Sequence, residues 1–156
     1  MARSAGILPY RLTRGLEVLI GHPGGPLWSR RDAGSWSIVK GLVEPSESGL
    51  EAARREFLEE TGWSPPDTGY RPLGDCRLRS GKMVAAWAVE AELDPDTLRP
   101  GTFEMAWPPG SGRVARFPEI DRVGWFDPGQ ARRRLNPAQR VFVDRLERSL
   151  NDQGDR

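Results

Sequence analysis

Glu56, Glu59 and Glu60 fall within five residues, and Glu47 and Glu51 stand just upstream in the stretch GLVEPSESGLEAARREFLEETGW, Gly41 to Trp63. On a helix, positions 56, 59 and 60 are related as i, i+3 and i+4, which puts their Cβ atoms ~5–6 Å apart on one face. Two like charges about 4 Å apart repel by ~1 kcal/mol in water and ~4 kcal/mol at a partly buried surface. Such a trio is destabilising unless a cation joins it. Magnesium is the natural candidate, a hard cation that takes oxygen ligands, keeps several waters and is held by one or two carboxylates together with a substrate's phosphates. Arg54 and Arg55 offer the other reading, a solvated acidic face balanced by its own arginines. Composition alone favours that second reading.

The spacing across the whole stretch decides for the first. Gly41, five residues, Glu47, seven residues, Arg55-Glu56-Phe57, one residue, Glu59-Glu60, one residue, then Gly62 and Trp63: this series resembles the Nudix box at every fixed glycine and polar position. Seven specified residues at ~7% usage each coincide by chance at about one in 10⁸ start sites. WSIVKG, ahead of the box, looks like the strand and Lys-Gly entry that lead into many such boxes. PEIDRVGWFD looks like the later strand that carries another family carboxylate. Trp63 is bulkier than the usual aliphatic residue and Val39 stands where related sequences often have proline, departures that touch packing more than chemistry.

The resemblance implies a Nudix-type α/β/α sandwich with a mixed β-sheet. It also implies a magnesium-dependent hydrolase, with manganese as a substitute, that cleaves the pyrophosphate linkage of a nucleoside diphosphate linked to a group X. Carried over residue by residue, it makes Glu56 and Glu60 the leading metal ligands. Glu59 completes the acidic set, one of the three is a candidate general base, and the main-chain carbonyl of Lys40 adds a ligand. Arg55 is expected to ion-pair within the box and hold a glutamate in place, the supporting task such ligands require. Glu47 is expected to support Arg55 or a metal-bound water.

The chemistry of the bond agrees with that class, since cleaving a densely charged pyrophosphate with water needs cations on its oxygens and a base for the nucleophile. Outside the box, Glu119 is the next catalytic and metal-binding candidate, because it precedes Trp125 as a glutamate often precedes the late-strand tryptophan in relatives. Glu104, in TFEMAWPPG, is its rival. The Lys40 ammonium, Arg30 and Arg31 are candidates for substrate phosphates, and Trp28 and Trp107, in loop-like surroundings, for stacking a base. His22, at a strand end before PGGP, reads as a loop anchor rather than a catalyst. Trp36, Trp87 and Trp125 sit in apolar patterns and read as core. Among substrates, the Lys-Gly entry leans toward dinucleoside polyphosphates or related polyphosphate compounds, with ordinary or oxidised nucleoside triphosphates second. A Nudix-type module that binds a nucleotide without cleaving it is the alternative from another class, and loss of box residues would favour it; none is lost.

These residues need elements to position them. Ser48 has the cap position, with Glu51 three residues on, for a helix lasting to about Thr61, where Gly62 supplies the stop; Leu50, Ala53 and Phe57 form its inward face. GLEVLIGH (15–22), SWSIVKG (35–41) and RVGWFD (122–127) read as strands. GDCRLRS (74–80) and KMVAAWAVEAEL (82–93) flank Gly81 as a hairpin. FDPGQARRRL opens a short helix, and Asn136-Pro137 opens a last one.

At 156 residues the chain fits one domain, expected over 1–150 with a frayed polar tail at 151–156. With 23 Lys and Arg against 22 Asp and Glu, no global charge points to a nucleic-acid polymer or an anionic membrane as partner. The amino end has only a four-residue apolar stretch before Pro9 and no signal-peptide core. Cys76 is alone and reads as a buried thiol in a reducing cytoplasm. The partner is expected to be a nucleotide or polyphosphate small molecule, and the protein a monomer or homodimer.

Overall fold

The strand that organises the sheet lies where the amino-terminal sequence shows no alternation. In the computed structural model, which describes residues 3–154, β1 (Arg3–Leu12) is buried from Ser4 to Tyr10. A strand covered on both faces has no polar period to read, and Gly6 and Pro9 within it further disguise it. Gly6 is required there, since a Cβ would stand 2.6 Å from the Val39 carbonyl oxygen.

The remaining strands are β2 (Leu16–Pro23), β3 (Val39–Leu42), β4 (Arg71–Arg77), β5 (Met83–Glu90), β6 (Thr102–Ala106), β7 (Val114–Pro118) and β8 (Ile120–Phe126). The main sheet runs β4-β5-β1-β2-β8, and β3 also pairs with β1. β1 and β5 are parallel, whereas the other pairs are antiparallel. The sheet is therefore mixed. Along its free side β1 is shared: residues 4–7 pair with β3 and residues 10–12 with β2. The sheet forks between those partners, and reciprocal Gly21–Ser37 backbone bonds of 2.8 and 2.9 Å tie the fork together.

Helices cover both faces. On one, α1 (Gly49–Thr61) packs Ala52, Ala53 and Phe57 against Ala5, Ile7, Leu19 and Val39. Ala52 rather than Leu50 completes its inward face, since Leu50 is only half-buried. Ser48 caps the start by accepting from the Glu51 N–H at 3.2 Å, and Gly62, at φ 79°, ends the helix in a conformation that favours glycine. On the other face lie α2 (Pro128–Arg134) and α3 (Arg140–Gly154). Phe142, Val143 and Leu146 of α3 pack with Leu8, Ile20, Trp36 and Ile38. Asn136 caps a 3₁₀ turn, Pro137–Gln139, rather than the first turn of α3 itself. α3 continues to Gly154, so the stretch read as a frayed tail is helical through 154. Cys76 is buried, as expected. Among the described residues no helix is long and apolar enough to cross a membrane. Among the described residues β6 and β7 pair only with each other, as a hairpin between α1's end and β8.

Candidate active site

The fork in the sheet opens into a cleft of about 430 Å³. Its walls are Gly21 and Pro23 from β2, the segment Ser37–Leu42, the α1 side chains Glu56, Glu59 and Glu60, and Glu119 and Ile120 at the head of β8. Two elements distant in sequence, α1 and the head of β8, thus bring four carboxylates to one opening. The helix stands close to β3 because Gly41 has no side chain, and a Cβ there would collide with the Glu56 carboxyl group.

Arg55 organises the outer half of this cluster. Its Nε and Nη2 donate to the two oxygens of Glu47 at 2.7 and 2.8 Å, and Nη1 donates to Glu56 at 2.9 Å and to Glu59 at 3.2 Å. Nη2 also donates to the Leu42 carbonyl at 3.0 Å, which ties the helix to the end of β3. The Arg55 hydrogen bonds, helped by the Glu44 N–H, hold the Glu47 carboxyl down at about 2. In turn Glu47 first, then Glu56 and Glu59, push the Arg55 guanidinium further up. Glu56 titrates high because burial outweighs the pull of Arg55.

Glu60 and Glu119 are different. Neither carboxylate takes a hydrogen bond or ion pair among the described residues. Burial first, then Glu119, Glu56 and Glu59, push the Glu60 carboxyl up to about 7. These are carboxylates without ion-pair partners, crowded together at a cleft. The Lys40 ammonium shares the cleft and is held below the usual lysine range by burial, with Lys82 adding to the effect. It too has no hydrogen-bond or ion-pair partner among the described residues.

The donors fit a hard divalent cation, being carboxylate oxygens with no thiolate or imidazole among them. Among the described residues no three of them are already drawn around one point as a finished ligand set. That is consistent with Arg55 drawing Glu56 and Glu59 outward, and with an ion that completes its shell from water and substrate phosphate.

From residue 2 to residue 146 the chain matches the family model of the NUDIX domain. The chain belongs to the Nudix family. It is 45% identical over 124 residues to an uncharacterised 17.7 kDa protein of Enterobacteria phage T4, a match covering 76% of this chain and 77% of that protein. It is 36% identical over 72 residues to Nudix hydrolase 19, chloroplastic, of Arabidopsis thaliana, covering 40% of this chain. The matched part spans only 16% of that longer protein. In structure it resembles a C. elegans Ap4A hydrolase in a binary complex, at a TM-score of 0.67 and 20% identity, covering 97% of this chain and 99% of that one.

The Nudix box and its entry account for Glu56, Glu59, Glu60, Lys40 and Gly41, which the fold brings to one cleft, and for Arg55, which braces Glu56 and Glu59 from outside the lining. Glu119 joins them from outside the box. Glu104 does not; it lies on the exposed face of β6, paired with Arg116 at 3.1 Å. Arg30, Arg31 and Trp28 sit on the loop beyond β2 and are not among the cleft-lining residues. The Arg31 guanidinium lies 5.4 Å over the exposed Trp28 ring instead. Trp107, half-buried beside the hairpin, is not part of the cleft wall either.

His22 is fully buried and acts as an anchor. One ring nitrogen meets the Asp121 carboxylate at 2.9 Å and the other the Arg31 carbonyl at 2.5 Å, which fastens the 24–35 loop to β8. Sequence reasoning missed Asp121 as its partner, since the pair is 99 residues apart. It also missed the close packing of Gly24 and Gly101 around Glu119, which no local signal reveals because both glycines lie in segments distant from Glu119 in sequence.

Proposed function

We propose that this Nudix protein is a magnesium-dependent pyrophosphohydrolase that cleaves the phosphoanhydride linkage of a nucleoside diphosphate joined to a group X, with dinucleoside polyphosphates the favoured class. The observation that carries the reading is the pair Glu60 and Glu119, carboxylates with no hydrogen-bond or ion-pair partner among the described residues, beside Glu56 in a cleft that also holds Lys40, likewise without a partner among them. A polyanion could not enter such a site alone. With Mg²⁺ or Mn²⁺ held by Glu56, Glu59, Glu60, Glu119 and the Lys40 carbonyl, the ion would neutralise phosphate oxygens and make bound water more acidic.

The chain's own residues do the remainder. Arg55 keeps Glu56 and Glu59 oriented through bonds that Glu47 locks from behind. Glu119 takes the proton of the attacking water, whose oxygen bonds to phosphorus as the bridging P–O bond breaks and the leaving phosphate carries the electron pair away. The Lys40 ammonium binds a phosphate oxygen. Trp28, with Arg31 against one face, offers its other face to a base, and Arg30 and Arg31 meet the outer phosphates.

The lean toward dinucleoside polyphosphates rests on the Lys40-Gly41 entry; the likeness to an Ap4A hydrolase supports the fold. A cytoplasmic placement rests on the single buried thiol. The decisive experiment is a panel of diadenosine polyphosphates, ordinary and oxidised nucleoside triphosphates and ADP-ribose, incubated with Mg²⁺ and with product identification, for wild type and Glu60→Gln. Wild type should cleave at an anhydride bond and the variant should not. Nucleotide binding without cleavage of any panel member, under Mg²⁺ or Mn²⁺, would establish the binding-module alternative instead.

A further inference from the structure

Both ends of the β6–β7 hairpin lie beside the carboxylates of the cleft. Gly101, at its entry, lies against the end of α1, where a Cβ would stand 3.1 Å from the Glu59 carbonyl oxygen and 3.7 Å from Glu60 Oε1. Glu119, at its exit, donates its N–H to the Gly101 carbonyl at 2.8 Å, and its own carbonyl accepts from the Gly24 N–H at 3.0 Å. Gly24 in turn packs so closely on Pro118 that a Cβ would collide with its carbonyl. The backbone at Glu119 is therefore a crossing point of three segments.

Those bonds fix the base of the hairpin and leave its inclination to side chains, because two isolated strands are only marginally stable. Phe103, Met105, Ala115 and Phe117 share its half-buried face. Phe103 is directly opposite Phe117, their ring centroids 6.0 Å apart. The tip of the Phe103 ring rests on Gly25, where a Cβ would stand 2.9 Å from Cζ. The ring is thus wedged between the turn that follows β2 and a residue two positions before Glu119. It does not line the cleft.

We propose that Phe103 is a positioning residue for Glu119: it seats the hairpin on the Gly24-Gly25 turn and so holds the Glu119 carboxylate in the cleft beside Glu60. The inference rests on the reading of Glu119 as a working carboxylate given above, and it adds the device that keeps it in place. Phe103 touches neither substrate nor metal, so its effect must vanish once Glu119 is disabled.

The test is a double-mutant cycle of Phe103→Ala and Glu119→Gln, with kcat and KM measured on a diadenosine polyphosphate at saturating Mg²⁺ and Mn²⁺ affinity measured by calorimetry without substrate. Phe103→Ala should lower kcat by about 10–100-fold, as loss of a residue behind a ligand does, with KM nearly unchanged. Added to Glu119→Gln, it should change kcat by less than about twofold. It should also weaken Mn²⁺ binding in the wild-type background and not in Glu119→Gln. Phe103→Leu, which keeps an apolar wedge, should recover most of both losses, and it carries the cycle if the alanine variant unfolds. An equal Phe103→Ala penalty in both backgrounds, or no penalty in either, overturns the proposal while leaving the active-site assignment standing. Full activity of Glu119→Gln beside an inactive Glu60→Gln removes Glu119 from the site, and the coupling with it.

Discussion

Arg55 bonds Glu47 through two nitrogens and does not reach Glu60, and these two glutamates of one box titrate in opposite directions. The folded Glu60 carboxyl stands at about 7 against an ordinary 4.5. Between those values the folded state binds the extra proton. Its contribution to stability is therefore complete below pH 4.5 and is lost as pH rises through about 7. Metal-free protein should accordingly melt at a lower temperature at pH 8 than at pH 5 through this group, and Glu60→Gln should flatten that slope; equal slopes in the two proteins would refute the assignment. Glu47, held down at about 2, has the reverse sign. Its contribution is present above pH 4.5 and disappears as pH falls toward 2, so the melting deficit of Glu47→Gln should shrink over that interval. For turnover, Glu56→Gln and Glu60→Gln should each lower kcat by more than ~100-fold, beyond the 10–100-fold typical of a residue that only supports a ligand. Both should keep the fold, since each also relieves like-charge repulsion on α1. Unfolding of both variants would mean that the trio is structural.

At the scale of elements, what was legible depended on periodicity and punctuation. α1 could be placed because Ser48 and Gly62 mark its ends chemically, and β2, β5 and β8 because their apolar runs are bounded by turns. β1 could not, as a strand buried on both faces carries neither alternation nor flanking signal. The box residues were legible because β3, the turn after it and α1 carry them in one unbroken stretch of chain. Glu119 was legible only through the family resemblance, and its supports were not, because Gly24, Gly101 and Phe103 meet it through backbone crossings between distant segments. The hairpin also separates the two carboxylates that sequence alone left in competition. Glu104 faces outward on β6, opposite Arg116 in register, while Glu119 lies past the hairpin's last strand at the cleft wall. Steady-state rates at saturating Mg²⁺ should show Glu119→Gln reduced by about 10²–10⁴-fold, as befits a proton acceptor. Glu104→Gln should be within a factor of about two, because an exposed ion pair is worth under 1 kcal/mol. The opposite order would place the working carboxylate on the wrong strand.

For the molecule as a whole, the fork in the sheet concentrates charge that folding alone does not neutralise. α1 is held against β3 by apolar packing of Phe57, Ala53 and Val39, and that packing brings Glu56 and Glu60 toward Glu119, with no ion-pair partner for the latter two among the described residues. The fold therefore carries a local penalty that a bound divalent ion would relieve, and on the proposed reading the ion should bind the native state far better than the unfolded chain. At a hundredfold excess over its dissociation constant such a ligand stabilises by about 2.7 kcal/mol. For a chain of this size that is a rise in melting temperature of roughly 5–11 °C. Mg²⁺ and Mn²⁺ should both produce it. Ca²⁺, which prefers longer bonds and more ligands, should also stabilise the protein while supporting little turnover. The shift should be much smaller in Glu60→Gln and should survive in Glu104→Gln, which separates binding in the cleft from general screening of surface charge. Melting curves recorded at fixed ionic strength decide the matter: an equal shift in wild type and Glu60→Gln, or none at millimolar metal with nucleotide present, would mean that the cleft carboxylates do not hold a cation.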